Sequence, residues 1–307
     1  MFRIIGETNI NFIGQRRKAF LISGLLIILG LFAFVMVLLD KANMGIDFVG
    51  GTMLQGSFEQ PISISDLRTA VTTNGFPEAY IQELDRGSDK HAYIIRVKEV
   101  VSGDEKAIAR LAQIIDDAFP GNKFTEDSEH VIGPAVGQSL RQSALYAILI
   151  SIAGMIIYIG IRFDFRSGVA ATIATFHDVL AVLGIFFLLN KEITLLVVTA
   201  LLTLAGYSLT DTVVVFDRIR ENIKKFRKKG EFVQTVNRSI NEVLSRTIMT
   251  SGTTLIVALS LYLFGGEILN DFALALVLGV IVGTYSSVFV ASPIVVEWED
   301  KSPRRFK

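Results

Sequence analysis

Six stretches of nearly unbroken apolar residues run along the chain, at 19–39, 143–161, 168–189, 193–216, 247–264 and 272–296, the last containing Pro293. A bilayer core about 30 Å thick takes about 20 helical residues to cross, so each stretch predicts a membrane-spanning helix. Gln15, Arg16, Arg17 and Lys18 precede the first stretch, as in the basic start of a signal peptide. That stretch is full length and leaves through Leu38, Leu39, Asp40 and Lys41, with no A-x-A exit, so a retained anchor is expected. Residues 41–142 follow a different rhythm. Alternating positions predict strands at 52–59, 79–84, 91–97 and 124–132, with a turn at 85–88 between the second and third. A helix is expected at 63–74, capped by Ser63 or Ser65 and closed by Gly75. A second is expected at 104–119, with Ile108, Leu111, Ile114, Ile115 and Phe119 on one side and acids in its first turn. The order βαββαβ is the ferredoxin-like split unit, a superfold that fixes no function. The predicted fold class is therefore an all-α six-span membrane bundle with an inserted extracytoplasmic α+β domain.

Composition agrees and narrows the chemistry. Hydrophobic residues make up 51% and charged residues 20%, with a mean hydropathy of +0.50. The 30 basic and 30 acidic residues balance, which argues against a nucleic-acid partner bound by bulk charge. The absence of Cys excludes disulfides, thiolate metal sites and Cys nucleophiles. His91, His130 and His177 are too scattered for a metal cluster, and no P-loop pattern occurs. No cofactor, no metal and no enzymatic activity are expected. The distribution of Lys and Arg orients the spans, because cytoplasmic loops favour them. Arg3, Arg16, Arg17 and Lys18 precede span one; Arg162 and Arg166 follow span two; 217–246 is the richest segment, and the tail adds Lys301, Arg304, Arg305 and Lys307. The loop after span three holds only Lys191, and the loop after span five holds neither residue type. The domains expected are thus a cytoplasmic segment 1–18, span one at 19–39, an outside domain at 41–142, a bundle at 143–296 with a basic cytoplasmic loop 217–246, and a cytoplasmic tail 297–307.

Ionisable residues inside a span are costly, about 2.5–3.5 kcal/mol each even on insertion scales, and usually face a bundle interior or a wet cavity. Span three holds His177 and Asp178. Ala171, Ala174, Thr175, Asp178 and Ala181 share a face whose small residues suit close helix contact, and His177 points about 100° away from it. Span four holds Asp211, four residues after Tyr207 and beside Gly206 and Thr210. Span five begins with Arg246, followed by Thr247, Thr250, Ser251 and Thr254 on one stripe. An acid, a guanidinium and hydroxyls at similar depth suit a protonatable, ion-paired site. Each has a plainer reading. Arg246 suits a snorkelling anchor, Asp211 suits a helix–helix hydrogen bond, and His177 with Asp178 suits a satisfied packing pair. Gly279-x-x-x-Gly283 suits close packing, and 217–246 suits a solvated amphipathic helix touching anionic lipid.

Several motifs resemble the SecF family of the Sec protein-export machinery. They are GIDFVGGT (Gly45, Ile46, Asp47, Phe48, Val49, Gly50, Gly51, Thr52), IGPAVG at 132–137, FHDV at 176–179, GYSLTDTVVVFDRIREN at 206–222 and SRTIMTSGTT at 245–254. In order, they cover 19–292. The resemblance implies a member of the resistance–nodulation–division superfamily in the bacterial inner (cytoplasmic) membrane, paired with SecD and working beside the SecYEG channel. It implies use of the proton-motive force to help unfolded polypeptides complete export, with Asp211 and Arg246 in proton transport. His177, Asp178, Tyr207 and Thr250 are the secondary candidates. Two other classes remain open. A small-molecule exporter of the same superfamily would normally carry large outside domains on both halves. A structural scaffold would tolerate neutralisation of Asp211.

Overall fold

The computed structural model describes residues 8–77, 79–84, 91–98, 104–225 and 231–302. Among the described residues, six helices are long and apolar enough to cross a membrane. They are α1 (Arg16–Leu38), α5 (Pro134–Arg162), α6 (Phe165–Leu188), α7 (Leu195–Lys225), α8 (Phe232–Phe264) and a composite sixth span of α9 (Glu267–Ser286), a π-helical segment (Ser287–Ala291) and α10 (Ser292–Lys301). Leu21, Leu25, Ile150, Ile157 and Val257 face outward and are exposed. Such a surface is unfavourable in water and natural against lipid tails, so the chain is a multi-pass membrane protein. Span α6 and the sixth span lie at the centre, with more than half of their most apolar stretch buried, against under a fifth for α1, α5 and α8.

Small residues set the closest approaches. A Cβ on Gly184 of α6 would lie 2.9 Å from the Gly30 nitrogen of α1, and one on Gly30 would run into the Leu180 backbone. Gly184→Val is therefore expected to force α1 off α6 and sharply reduce the yield of monodisperse protein after detergent extraction. A wild-type yield and melting profile would contradict this packing. Gly279 and Gly283 of α9 lie against Leu204 and Ser208 of α7, which is close packing.

Several helices outrun their apolar stretches. Helix α5 begins at Pro134, whose fixed φ and missing N–H suit a first turn, and α7 continues to Lys225. The segment 217–246 is not one amphipathic helix. It comprises the end of α7 and the start of α8, with 226–230 outside the described residues. The apolar faces of the two ends, among them Phe216, Ile219, Val236 and Ile240, pack together. Asn222 Nδ2 donates to Ser239 Oγ at 3.0 Å, and Arg218 pairs with Glu242 at 2.6 Å. The sixth span is likewise interrupted. Pro293 cannot donate to the Phe289 carbonyl and crowds it, and the backbone before it widens into the π segment, where Ser292 Oγ donates to the Ser287 carbonyl at 2.9 Å.

The inserted domain contains α2 (Ile46–Val49), β1 (Gly51–Phe58), α3 (Ile64–Thr73), β2 (Tyr80–Leu84), β3 (His91–Val97), α4 (Asp104–Ala118) and β4 (Thr125–Ile132). Its antiparallel sheet has the order β2-β3-β1-β4, the ferredoxin-like arrangement. Leu54, Phe58, Tyr93 and Ile95 from the sheet meet Leu67, Val71, Leu111 and Ile115 from α3 and α4. The cap of α3 is Ser63, whose hydroxyl accepts from the Ser65 N–H at 3.2 Å. The expected turn at 85–88 lies outside the described residues.

Candidate functional site

The centre of the bundle holds two buried carboxylates, each met by a different serine of one helix. Asp178 of α6 is fully buried. Its Oδ2 accepts hydrogen bonds from Ser208 Oγ of α7 and, at 2.7 Å, from Ser286 Oγ of α9. Its Oδ1 lies 2.8 Å from Nδ1 of His177. The side chains of His177 and Asp178 thus turn toward each other, although their Cβ directions differ by about 100°. The imidazole lies beside the Tyr285 ring, 6.4 Å between centroids, and its buried Nε2 has no hydrogen-bond partner among the described residues. Ala171, Ala174, Thr175 and Ala181 are buried around Asp178, as a close helix crossing requires.

Asp211, three residues past Ser208 on α7, is held more loosely. Its Oδ2 accepts from Ser287 Oγ at 3.2 Å, a donor shared with the Thr284 carbonyl at 3.0 Å. Asp211 also lines a cavity of about 70 Å³ with Tyr207, Thr210 and Val214 of α7 and with Arg246 and Thr250 of α8. This volume holds a few waters. Arg246 and Asp211 face the same cavity, and no ion pair within 4.0 Å joins them among the described residues. Among the described residues the buried hydroxyl of Tyr207 lacks a hydrogen-bond partner, and that of Thr247 lies beside the Asp211 carboxylate. The hydroxyl stripe of α8 divides in use. Thr250 and Thr254 donate back to the Arg246 and Thr250 carbonyls, while Ser251 accepts from Thr284 Oγ1 of α9 at 2.7 Å. Arrangement and cavity together give a carboxylate that is shielded from bulk water, lightly hydrogen-bonded and within reach of water and a cation.

Ser286 and Ser287 were not singled out by sequence reasoning. The available signal was their position six and seven residues before Pro293 in an apolar span: adjacent serines where a helix must widen place their hydroxyls toward different neighbours.

The Gly45–Thr52 motif contributes no catalytic group; it makes the joint between the α+β domain and the spans. The Gly45 N–H donates to the Ile193 carbonyl at 2.9 Å. Asp47 Oδ2 accepts from the Leu195 N–H at 2.8 Å, so a carboxylate caps the start of α7. Phe48 is buried, and Gly137 of α5 packs against its backbone. Gly50 and Gly51 have φ of 80° and 149°, and a Cβ on Gly51 would collide with the Val97 carbonyl. Thr52 is buried at the start of β1. Beside this joint, Glu192 in the turn between α6 and α7 is 1% exposed and pairs with Arg96 of β3 at 2.6 Å.

Burial pushes the Glu192 carboxyl above the ordinary glutamate range, although Arg96 and Lys98 pull it down, and Asp47 adds to the rise. An acid raised in the folded chain contributes stability that is fully present below its unfolded value, about 4.3, and is lost as the pH rises through the folded value. Wild type is therefore expected to gain on Glu192→Gln in thermal stability as the pH falls from 7 toward 5. A difference that stays flat or widens in favour of the variant would refute a raised Glu192.

Six membrane helices, an inserted ferredoxin-like domain and paired intramembrane carboxylates define a multi-pass membrane protein with a polar centre inside the bilayer. Residues 113–301 match the family model for the C-terminal region of the protein-export membrane proteins SecD and SecF. The protein translocase subunit SecF of Thermodesulfovibrio yellowstonii is 49% identical over 297 residues, covering 96% of this chain and 97% of that one. The corresponding subunit of Endomicrobium trichonymphae is 40% identical over 306 residues, covering 99% and 96%. The crystal structure of SecDF, a translocon-associated membrane protein from Thermus thermophilus, aligns with a TM-score of 0.80 at 36% identity. The alignment covers 96% of this chain and 39% of SecDF. The chain belongs to the SecF family of protein translocase subunits.

Proposed function

We propose that this chain couples the proton-motive force to the late steps of Sec-dependent protein export, with Asp211 as the group that takes up and releases the proton. The observation that carries this reading is the environment of Asp211: buried, held by a shared serine hydroxyl with the Thr247 hydroxyl beside it, and facing a small polar cavity with Arg246 across it, in no ion pair among the described residues. A carboxylate locked by strong donors would resist protonation, and a fully solvated one would not be isolated from bulk water. Tyr207 and Thr250 line the path by which water reaches it, and Arg246 stabilises the ionised form between proton arrivals. His177 and Asp178, more firmly hydrogen-bonded, hold α6, α7 and α9 together around this site.

The partner is a SecD-like subunit. Thr210, Arg246 and Thr250 are exposed, so the cavity opens sideways onto a face that a second bundle completes. The SecDF polypeptide, of which this chain matches 39%, carries further sequence beyond the matched part. The other partners are the SecYEG translocon, unfolded exported polypeptides, and lipids at the basic ends of α7 and α8. The location is the bacterial inner membrane, with both termini cytoplasmic and the α+β domain outside. In this otherwise Cys-free chain, Ser128→Cys on β4 is expected to react with an impermeant thiol reagent added outside cells, and Ser302→Cys is not. The reverse pattern would overturn the orientation. The functional test is late-stage translocation of a preprotein in membrane vesicles with and without a proton gradient. Vesicles lacking this chain are expected to lose the gradient-dependent component; unchanged stimulation without it would refute the reading.

A further inference from the structure

The turn at 189–194 directly connects the helix bearing Asp178 to the helix bearing Asp211, and three segments on the α+β side hold it. Asn43 accepts from the Ile193 N–H at 2.8 Å through its carbonyl and donates from Nδ2 to the Asn190 carbonyl at 3.2 Å. Asp47 caps α7 at Leu195. Arg96, standing over the Tyr80 ring at 5.7 Å, reaches Glu192 at 2.6 Å. From the other side, Lys191 of the same turn pairs with Asp271 of α9 at 2.8 Å. From Leu195 to Asp211, α7 is an unbroken helix about 24 Å long, so displacement of its Asp211 end is carried to this turn. Beside an apolar cluster that joins Met44 and Phe48 with Ile193 and Val197, the contacts between this turn and the domain include polar, directional ones. A buried ion pair is a poor means of maximising stability, since an apolar pair of similar size holds as well or better. Its distinguishing property is that it has discrete made and broken states.

From this geometry we infer that Arg96, Glu192 and Asp47 are positioning residues, forming the joint through which movement of α7 is transmitted to the α+β domain. The inference rests on the reading of Asp211 as the proton-carrying group. Gradient-driven protonation changes the hold of Ser287 on Asp211, α7 shifts against α9, and the turn pulls on Arg96 and the end of β3. The joint needs no group beyond those already present: Arg96 of β3 and Lys98 just after it, Tyr80 from β2, Asp47 from the linker, Lys191 and Glu192 from the turn, and Asp271 from α9 face one another across it.

The test uses the full chain co-expressed with its SecD-like partner, in vesicles, with Asn43→Cys and Asn190→Cys together. This pair spans the turn, where Asn43 Nδ2 donates to the Asn190 carbonyl at 3.2 Å, and leaves Arg96, Glu192 and Asp47 in place. The rate of oxidative cross-linking is measured with and without a proton gradient, alongside translocation before and after reduction. Cross-linking is expected to change at least threefold when the gradient is applied. The oxidised chain is expected to lose gradient-stimulated export and to regain it on reduction. A rate indifferent to the gradient, or a locked joint that still supports full stimulation, would overturn the proposal. Arg96→Met with Glu192→Met, which removes the ion pair without leaving either of its two charges alone, is expected to fold and to lose gradient-stimulated export; full stimulation in that variant would also overturn the proposal. Repeating the rate measurement with Asp211→Asn separates the two ideas. If the gradient response of the cross-link persists, the joint moves and Asp211 is not its driver. If export responds to the gradient through Asp211 while the cross-link does not, the joint proposal fails and the function stands.

Discussion

Asp211→Asn is expected to abolish the gradient-dependent component of preprotein translocation while leaving assembly with the partner intact. Asparagine keeps the shape of aspartate and can still accept from Ser287 Oγ, so the crossing of α7 with the π segment is preserved. What it removes is the exchangeable proton. One charge falling through about 150 mV releases about 3.5 kcal/mol, equivalent to two to three orders of magnitude in a coupled equilibrium. An uncoupled variant forfeits that bias entirely. Arg246→Met should have the same phenotype for a different reason. Methionine is of similar reach and fills the same wall of the cavity, but the ionised form of Asp211 then has no cation across the water-sized gap. A chain serving only as a scaffold predicts near wild-type behaviour for both. Full gradient stimulation in Asp211→Asn vesicles would remove Asp211 from the mechanism and turn attention to His177 and Asp178.

Much of the architecture was legible because it rests on local pattern. The strand at 91–97 matches β3 at His91–Val97, and the other strands and helices of the inserted domain fall within about two residues of their expected limits. Alternation and 3.6-residue spacing are both visible in sequence once one face is buried. Asp211, Arg246, Tyr207 and Thr250 were legible as polar residues on adjacent apolar spans, and the structure brings all four to one cavity. What escaped depends on contacts distant in sequence. Ser286 and Ser287 look like ordinary small residues until α9 is placed between α6 and α7. Asp47 reads as part of a glycine-rich motif, yet its partner is the Leu195 N–H, 148 residues away. Glu192 reads as a loop acid, yet it is buried against Arg96 on the far side of the inserted domain's sequence. The break in the sixth span was foreshadowed by Pro293, whose effect appears in the turn before it. The length of α7 and α8 was underestimated because hydropathy marks where a bilayer begins and a helix need not stop there.

The two intramembrane acids should separate cleanly when each is truncated. Asp178→Ala removes the acceptor of Ser208 Oγ, the partner of His177 Nδ1 and one of the two acceptors of Ser286 Oγ, which also reaches the Gly283 carbonyl at 3.2 Å, all buried between α6, α7 and α9. A buried donor left without a partner costs about 1–3 kcal/mol, so the expected loss is about 3 kcal/mol or more, enough to lower the amount of folded complex several-fold. Asp211→Ala removes an acceptor beside Thr247 and one of the two acceptors of the Ser287 hydroxyl, which already shares itself with the Thr284 carbonyl, and the space it leaves opens onto a cavity that holds water. Its cost should stay near 1 kcal/mol. Thermal unfolding of the two variants in the partner complex, read beside their export rates, distinguishes the roles. Asp178→Ala should be the less stable protein, whereas Asp211→Ala should be stable and uncoupled. Equal stability of the two would mean that the serines around Asp178 find other acceptors and that it is not the pin of the bundle. A stable Asp178→Asn that has lost its gradient response would instead place the His177–Asp178 pair on the proton path, one serine step from Asp211.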